Sequence, residues 1–281
     1  MNRFTQTMRN LRSGQALGLF PYLTAGFPEG DRWTGLLELM VDCGADGLEV
    51  GMPYSDPLAD GVTMQSAGAR ALEHGISLKR TLEGLAATRP KVPVALMSYV
   101  NPLLAYGLDA LGRDAARSSV DAFIVPDLPL SESGELRAVC AANDLGYVPM
   151  VAPTSTDEHL KAVDQVDAAF VYCVALLGVT GARSTLDENL GEFLTRVRSR
   201  IRHPLIVGFG ISRPEHVSRL QGLADGAIVA SALADMIEHS ERADIEANVR
   251  AYLGEMRAAC EPQQATRDHL AAEVNGAARC S

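Results

Sequence analysis

Lysine is almost missing: Lys79, Lys91 and Lys161 are the only three in 281 residues. None ends a strand in the assignment below, which argues against a Schiff-base lysine. Cysteine gives no pattern either. Cys43, Cys140, Cys173, Cys260 and Cys280 are scattered, odd in number and without CxxC spacing. They read as reduced thiols of a cytoplasmic protein, not as a disulfide frame or a zinc site. The six histidines show no HxxxH spacing and none falls beside the carboxylates discussed below. No metal centre is therefore expected, and Ser/His/Asp nucleophilic catalysis lacks its histidine. No apolar run reaches membrane-spanning length, and the N-terminus has no signal-peptide pattern. The net charge is −10, with no basic cluster interleaved with aromatics, so nucleic acid is not an expected partner.

What is present is ample core and a regular alternation. Hydrophobic residues make up 47% of the chain, enough for one large α/β barrel or two small domains. Eight short β-rich runs can be read: Leu17–Leu23, Gly47–Val50, Val92–Met97, Ala122–Val125, Tyr147–Val151, Ala169–Val174, Leu205–Val207 and Gly226–Val229. Amphipathic stretches separate them, among them Thr34–Asp42, Gln65–Glu73, Glu132–Ala142, Glu158–Val166, Leu190–Arg200 and Pro214–Leu220. Eight alternations without a composition shift favour a single (β/α)8 TIM barrel over an open sheet. Residues 1–260 form that domain, with Arg3–Arg12 as an extra N-terminal helix. Residues 261–281 are polar and Ala-rich without an apolar stripe, and are expected to be a disordered tail.

A barrel places functional groups at the C-terminal ends of its strands, with phosphate favoured after the seventh and eighth. The second strand runs into Leu48-Glu49-Val50-Gly51-Met52-Pro53-Tyr54-Ser55-Asp56-Pro57-Leu58-Ala59-Asp60-Gly61. Glu49, flanked by Leu48 and Val50, should have a raised pKa. Asp56 and Asp60, in a loop open to water, should stay ionised. Two carboxyls pushed apart by environment suit acid/base work; a strand-end Glu followed by ordinary turn aspartates is the plain alternative. Gly208-Phe209-Gly210 follows the seventh strand and opens a helix through Ile211-Ser212. Ala230-Ser231 follows the eighth and opens another. Backbone N–H groups at such helix starts bind phosphate, although tight turns alone would also use these glycines. The residues point to general acid/base chemistry without metal or cofactor, on a phosphorylated small molecule.

Six pieces occur in order: Pro21-Tyr22-Leu23-Thr24-Ala25-Gly26, the Glu49–Gln65 segment, Met97-Ser98-Tyr99-Val100-Asn101-Pro102, Pro126-Asp127-Leu128-Pro129, Gly178-Val179-Thr180-Gly181-Ala182-Arg183, and Gly208-Phe209-Gly210-Ile211-Ser212. From about Phe4 to Leu253 the chain resembles the tryptophan synthase α-subunit family. The resemblance implies aldol-type cleavage of indole-3-glycerol phosphate to indole and glyceraldehyde 3-phosphate. It assigns C3 protonation and hydroxyl deprotonation to Glu49, and acceptance of the indole N–H to Asp60. It places Tyr22, Tyr99, Ile124, Met150, Tyr172 and Phe209 around the indole, although Ile124 and Met150 also fit as plain barrel core. Phosphate would lie against Gly181, Gly210, Ala230 and Ser231. Asp56 and Thr180 would serve subunit coupling and loop closure. The implied partner is a β subunit that carries pyridoxal phosphate, in an α2β2 assembly; this chain itself would hold no cofactor.

Three positions depart from the family's usual pattern: Ala230 for Gly before the serine, Ala175 for a Ser, and Val62 for the Pro after Asp-Gly. Ala230 forgoes glycine's freedom at positive φ, and Val62 should loosen the Asp60 loop. A free-standing lyase remains compatible with the sequence. A non-catalytic activator would need neither Glu49 nor Asp60, and a phosphosugar isomerase would not carry the Gly178–Gly181 loop.

Overall fold

The computed structural model describes residues 2–14, 16–30, 32–175, 188–208 and 210–261. Its strands are β1 (Gly18–Thr24), β2 (Leu48–Gly51), β3 (Val94–Met97), β4 (Ala122–Ile124), β5 (Gly146–Val148), β6 (Met150–Val151), β7 (Val171–Val174), β8 (Leu205–Gly208) and β9 (Gly226–Val229). All pairings are parallel, in the order β5-β4-β3-β2-β1-β9-β8-β7-β6. The expected eight strands are there, with the fifth divided at Pro149. Proline has no N–H to give a ladder, but its carbonyl accepts from Tyr172 N–H at 2.9 Å. β5 pairs with β4 and β6 pairs with β7, so one stretch of chain serves both edges and nearly closes the barrel.

Helices follow the strands where the amphipathic stretches predict them, and four more appear: Leu78–Thr88, Val100–Tyr106, Leu108–Arg117 and Ile245–Cys260. The last buries Ile245, Val249, Leu253, Met256 and Cys260, a helical stripe. Among the described residues, no helix is long and apolar enough to cross a membrane.

Alternation along the strands sorts two apolar layers. In β1, Leu19 and Leu23 face the helices while Phe20 and Tyr22 face the barrel interior. The N-terminal helix Arg3–Gly14 stoppers the barrel's lower end with Phe4, Met8 and Leu11. The Phe4 ring lies 5.2 Å from Phe170 and 6.2 Å from Phe20, centroid to centroid.

Three aspartates repeat one device at that lower end. Asp46, Asp121 and Asp225 stand just before β2, β4 and β9, and each accepts the N–H at or near the start of a neighbouring strand. Asp46 takes Leu19 N–H at 2.9 Å, Asp121 takes Val94 N–H at 2.8 Å, and Asp225 takes Leu205 N–H at 2.7 Å. Each also holds arginine: Arg257 on Asp46, Arg3 in a two-bonded fork on Asp121, and both Arg12 and Arg198 on Asp225. Arg3 and Arg12 lie near opposite ends of the N-terminal helix, so these ion pairs fasten the stopper.

Burial pushes the Asp225 carboxyl up, but hydrogen bonds from Arg12, Arg198 and Leu205 N–H outweigh it, and the net direction is down. A carboxyl lowered by folding stabilises above its unfolded value near 3.9, and that contribution fades as pH falls through the folded value. Asp225→Ala leaves two arginines and a strand N–H without their acceptor. It should cost about 3 kcal/mol at pH 7, the low end for a broken buried pair because both arginines are partly solvated. Urea midpoints at pH 7 and pH 3 test this: the gap between parent and variant should narrow on acidification.

Candidate active site

The C-terminal ends of the strands surround a cavity. Glu49, in the middle of β2, faces it and is 4% exposed. Its Oε2 has no hydrogen-bond partner among the described residues. Burial first, and then the nearby negative charge of Asp60, push its carboxyl up to about 8. The sequence expectation for Glu49 therefore holds, and the group is an acid at neutral pH.

Asp60 also lines the cavity, but its carboxyl is raised by burial, against the expectation of an ordinary water-exposed loop aspartate. The Tyr99 hydroxyl hydrogen-bonds Asp60 and opposes that rise. The same hydroxyl accepts Ala59 N–H at 2.9 Å, and the Gln65 side chain donates to the Asp60 carbonyl at 2.8 Å. Tyr99 is buried in the same apolar cluster as Tyr22, Ile124 and Tyr172 and packs against Tyr54, with ring centroids 5.2 Å apart. Gln65 was not singled out from sequence, since a polar residue early in a helix gives no sign that it reaches back.

Tyr22 and Tyr172 enter the cavity from β1 and β7. Each ring lies over a glycine of the adjoining strand: a Cβ on Gly51 would collide with the Tyr22 hydroxyl, and one on Gly208 with that of Tyr172. Burial raises both phenols far above their usual range, so both stay neutral. Thr24 hydrogen-bonds the Tyr22 hydroxyl at 3.3 Å. Ile124 and Met150 line the cavity as expected, together with Met64, Met97 and Ile228, which sequence reasoning passed over. Their only signal was inward alternation or helical spacing, which any core residue shares.

At the far side lie Gly210, Ala230 and Ser231. Ser231 begins helix Ser231–His239, whose first turn has no side-chain cap, leaving its N–H groups for a ligand. Ala230 adopts φ −123°, so glycine's positive-φ freedom is not needed there. Gly210 does use it, at φ +77°. The helix expected to open at Gly210 starts only at Pro214 and has five residues; proline at a first helical position explains the start. Asp127 of the Pro126–Pro129 motif caps a different helix, accepting Val100 N–H at 2.9 Å. Asp56 is exposed, bonded to Ser55, and outside the cavity wall. Thr180, Gly181, the rest of the 178–187 loop, Phe209 and residues 262–281 lie outside the described residues.

A family model described as "Tryptophan synthase alpha chain" matches residues 8–261. A tryptophan synthase alpha chain of Chloroflexus aggregans is 44% identical over 264 residues, covering 93% of this chain and 99% of that one. One from a Roseiflexus species is 46% identical over 243 residues, 85% of this chain and 93% of the other. Among solved structures, tryptophan synthase subunit alpha from Legionella pneumophila superposes with a TM-score of 0.85 at 33% identity, covering 92% and 98% of the two chains. A chain of the aminoacrylate-bound tryptophan synthase of M. tuberculosis gives 0.83 at 30% identity, covering 92% and 100%.

Holding Glu49 in this cavity costs stability. Its folded pKa of about 8 exceeds the unfolded value, so the cost is absent at low pH and grows as pH rises from about 4.5 toward 8. At pH 7 it is on the order of 3 kcal/mol. Glu49→Gln removes the titration. The variant should melt above the parent at pH 7, with a smaller gain at pH 5, in calorimetric scans at both pH values.

Proposed function

The chain belongs to the tryptophan synthase alpha chain family, and we propose that Glu49 and Asp60 carry that family's reaction in it. It is a lyase of tryptophan biosynthesis that performs the alpha reaction, cleavage of indole-3-glycerol phosphate to indole and glyceraldehyde 3-phosphate. The observation that carries the residue assignment is Glu49: a buried carboxyl with an unpartnered oxygen, facing the cavity and protonated at neutral pH.

Glu49 gives its proton to indole C3. The ring nitrogen becomes cationic, and the Asp60 carboxylate accepts its N–H and stabilises the charge. The Glu49 carboxylate then takes the proton of the glycerol hydroxyl next to the ring. The O–H electron pair becomes the aldehyde C=O, and the C–C pair returns to the indole. Glu49 ends protonated, as it began. The mixed apolar and aromatic wall suits the indole. The Gly210, Ala230 and Ser231 end suits the phosphate through N–H groups, with the Ser231 hydroxyl adding a bond and Gly181 as a fourth N–H contact.

Membership of the family implies a tryptophan synthase complex. The finer reading is a β subunit carrying pyridoxal phosphate, in a cytoplasmic α2β2 assembly, with no cofactor in this chain. The exposed large apolar side chains support docking at the mouth. Leu58 (83% exposed) and Val62 (85%) flank Asp60. Leu104 lies one turn from Asn101, whose side chain touches Tyr54 of the same loop. In this reading Asp56 faces the partner, and Thr180 closes over Asp60 when ligand and partner are both bound.

Glu49→Gln should lower kcat by about 10²–10⁴-fold; more than a tenth of parental turnover would defeat its role. Asp60→Asn should lower kcat as well as kcat/KM, since its charge acts on the transition state. Thr180→Val should reduce turnover with the β subunit far more than turnover without it; equal losses would remove the closure role.

A further inference from the structure

The segment after β8 that presents Gly210 to the cavity is gripped by two side chains with no part in the reaction above. Ser212 N–H donates to His216 Nδ1 at 3.3 Å, and Ser212 Oγ lies 3.4 Å from the same nitrogen. From the other side the Tyr252 hydroxyl, on helix Ile245–Cys260, donates to the Ser212 carbonyl at 3.3 Å. Both polar groups of residue 212's backbone are therefore committed, two residues from Gly210. Ile211 between them is buried.

This grip has a physical reason. Ser231 starts a nine-residue helix, whose own ladder fixes its first N–H groups. Gly210 has no such support: its φ is +77°, and the helix beyond it has only five residues, too few to hold itself. An N–H donor meeting Nδ1 also requires that nitrogen to be unprotonated, so the ring must be neutral, with its proton on Nε2. His216 is 8% exposed, and burial lowers its pKa, in the direction the neutral ring needs. Arg213, Arg219 and Glu215 of its own segment act on it electrostatically, while Tyr252 from the C-terminal helix reaches the same Ser212 peptide.

We infer that His216 and Tyr252 are positioning residues for the substrate's phosphate: by clamping the Ser212 peptide from both sides they hold the Gly210 N–H in place. The inference rests on the reading of Gly210, Ala230 and Ser231 as the phosphate end.

The test compares His216→Ala, His216→Gln and Tyr252→Phe with the parent, and uses Ser231→Ala as a control for the phosphate end itself. It measures kcat and KM for indole-3-glycerol phosphate, and the affinity for inorganic phosphate by calorimetry. Losing one clamp bond should raise KM and weaken phosphate binding about three- to tenfold, with kcat nearly unchanged. His216→Gln keeps an acceptor for Ser212 N–H and should recover most of the affinity. Should His216→Ala not fold, His216→Gln and Tyr252→Phe still decide: Tyr252→Phe must weaken phosphate binding more than His216→Gln does. A fall in kcat at constant KM, or phosphate affinity unchanged by Tyr252→Phe, overturns the inference. If Ser231→Ala weakens phosphate binding while the clamp variants do not, only the clamp fails. If Ser231→Ala also has no effect, the phosphate end has been misplaced.

Discussion

The carboxylates of Asp46, Asp121 and Asp225 are what allow the barrel to shut at its lower end. A strand entering a parallel barrel begins with an N–H that the ladder does not reach, and in a packed interior that group needs an acceptor. A carboxylate set just before the next strand supplies it. A buried carboxylate in turn needs a cation, and the arginines come from the N-terminal helix, the C-terminal helix and Glu188–Arg198. One requirement therefore ties strand starts, stopper helix and outer helices into a single unit. It also explains why a chain with three lysines keeps arginine at these places: a planar fork meets both carboxylate oxygens at once, as Arg3 does on Asp121.

The opposite end of the barrel uses the stability gained below. There the same fold buries a carboxyl with an unpartnered oxygen and sets a second carboxyl near it. In water the two would ionise independently. In a cavity walled by methionine, isoleucine and tyrosine, the deeper one keeps its proton. The tyrosines add surface without charge, since both phenols stay neutral. Gly51 and Gly208 leave room for the hydroxyl ends of Tyr22 and Tyr172 against the neighbouring strands, so the walls are fixed by packing before any substrate arrives.

How much of this could be read in advance depended on range. Strand positions were legible because inward and outward alternation is local, and Glu49 stood out as a carboxylate bracketed by Leu48 and Val50 ahead of a Gly/Pro-punctuated loop. The split of the fifth strand at Pro149 was marked by the proline itself. The late start of the helix at Pro214 was also encoded, but the glycines before it suggested an earlier one. Tyr99 had a further role that its motif did not reveal. Its motif announces importance, yet only the folded loop shows the hydroxyl turned to Ala59 N–H and Asp60. Asp60 was expected to sit in water because loops usually do; its burial comes from the barrel mouth around it. Met64, Met97 and Ile228 carried no mark that separates a ligand wall from core.

The two carboxyls differ in what holds them, and this bears on how a partner could act. Glu49 lies within β2, paired on both sides by β1 and β3, so moving it means deforming the barrel. Asp60 hangs on a loop secured by the Tyr99 hydroxyl and the Gln65 side chain, bonds worth about 1 kcal/mol each. The side chains around it, Leu58 and Val62, are exposed and apolar, and covering them stabilises whichever loop position the cover fits. The helix that begins at Val62 is joined by Arg70 to Glu238 on helix Ser231–His239, which begins at the phosphate end. Under the proposed function, a partner covering Leu58 and Val62 would act on the loop that carries Asp60, and the Arg70–Glu238 ion pair links the helix after that loop to helix Ser231–His239. The proton donor stays where the strand puts it. On the proposed reading, such an arrangement would keep the strand-held acid fixed while the loop-held carboxylate responds to a partner at the mouth.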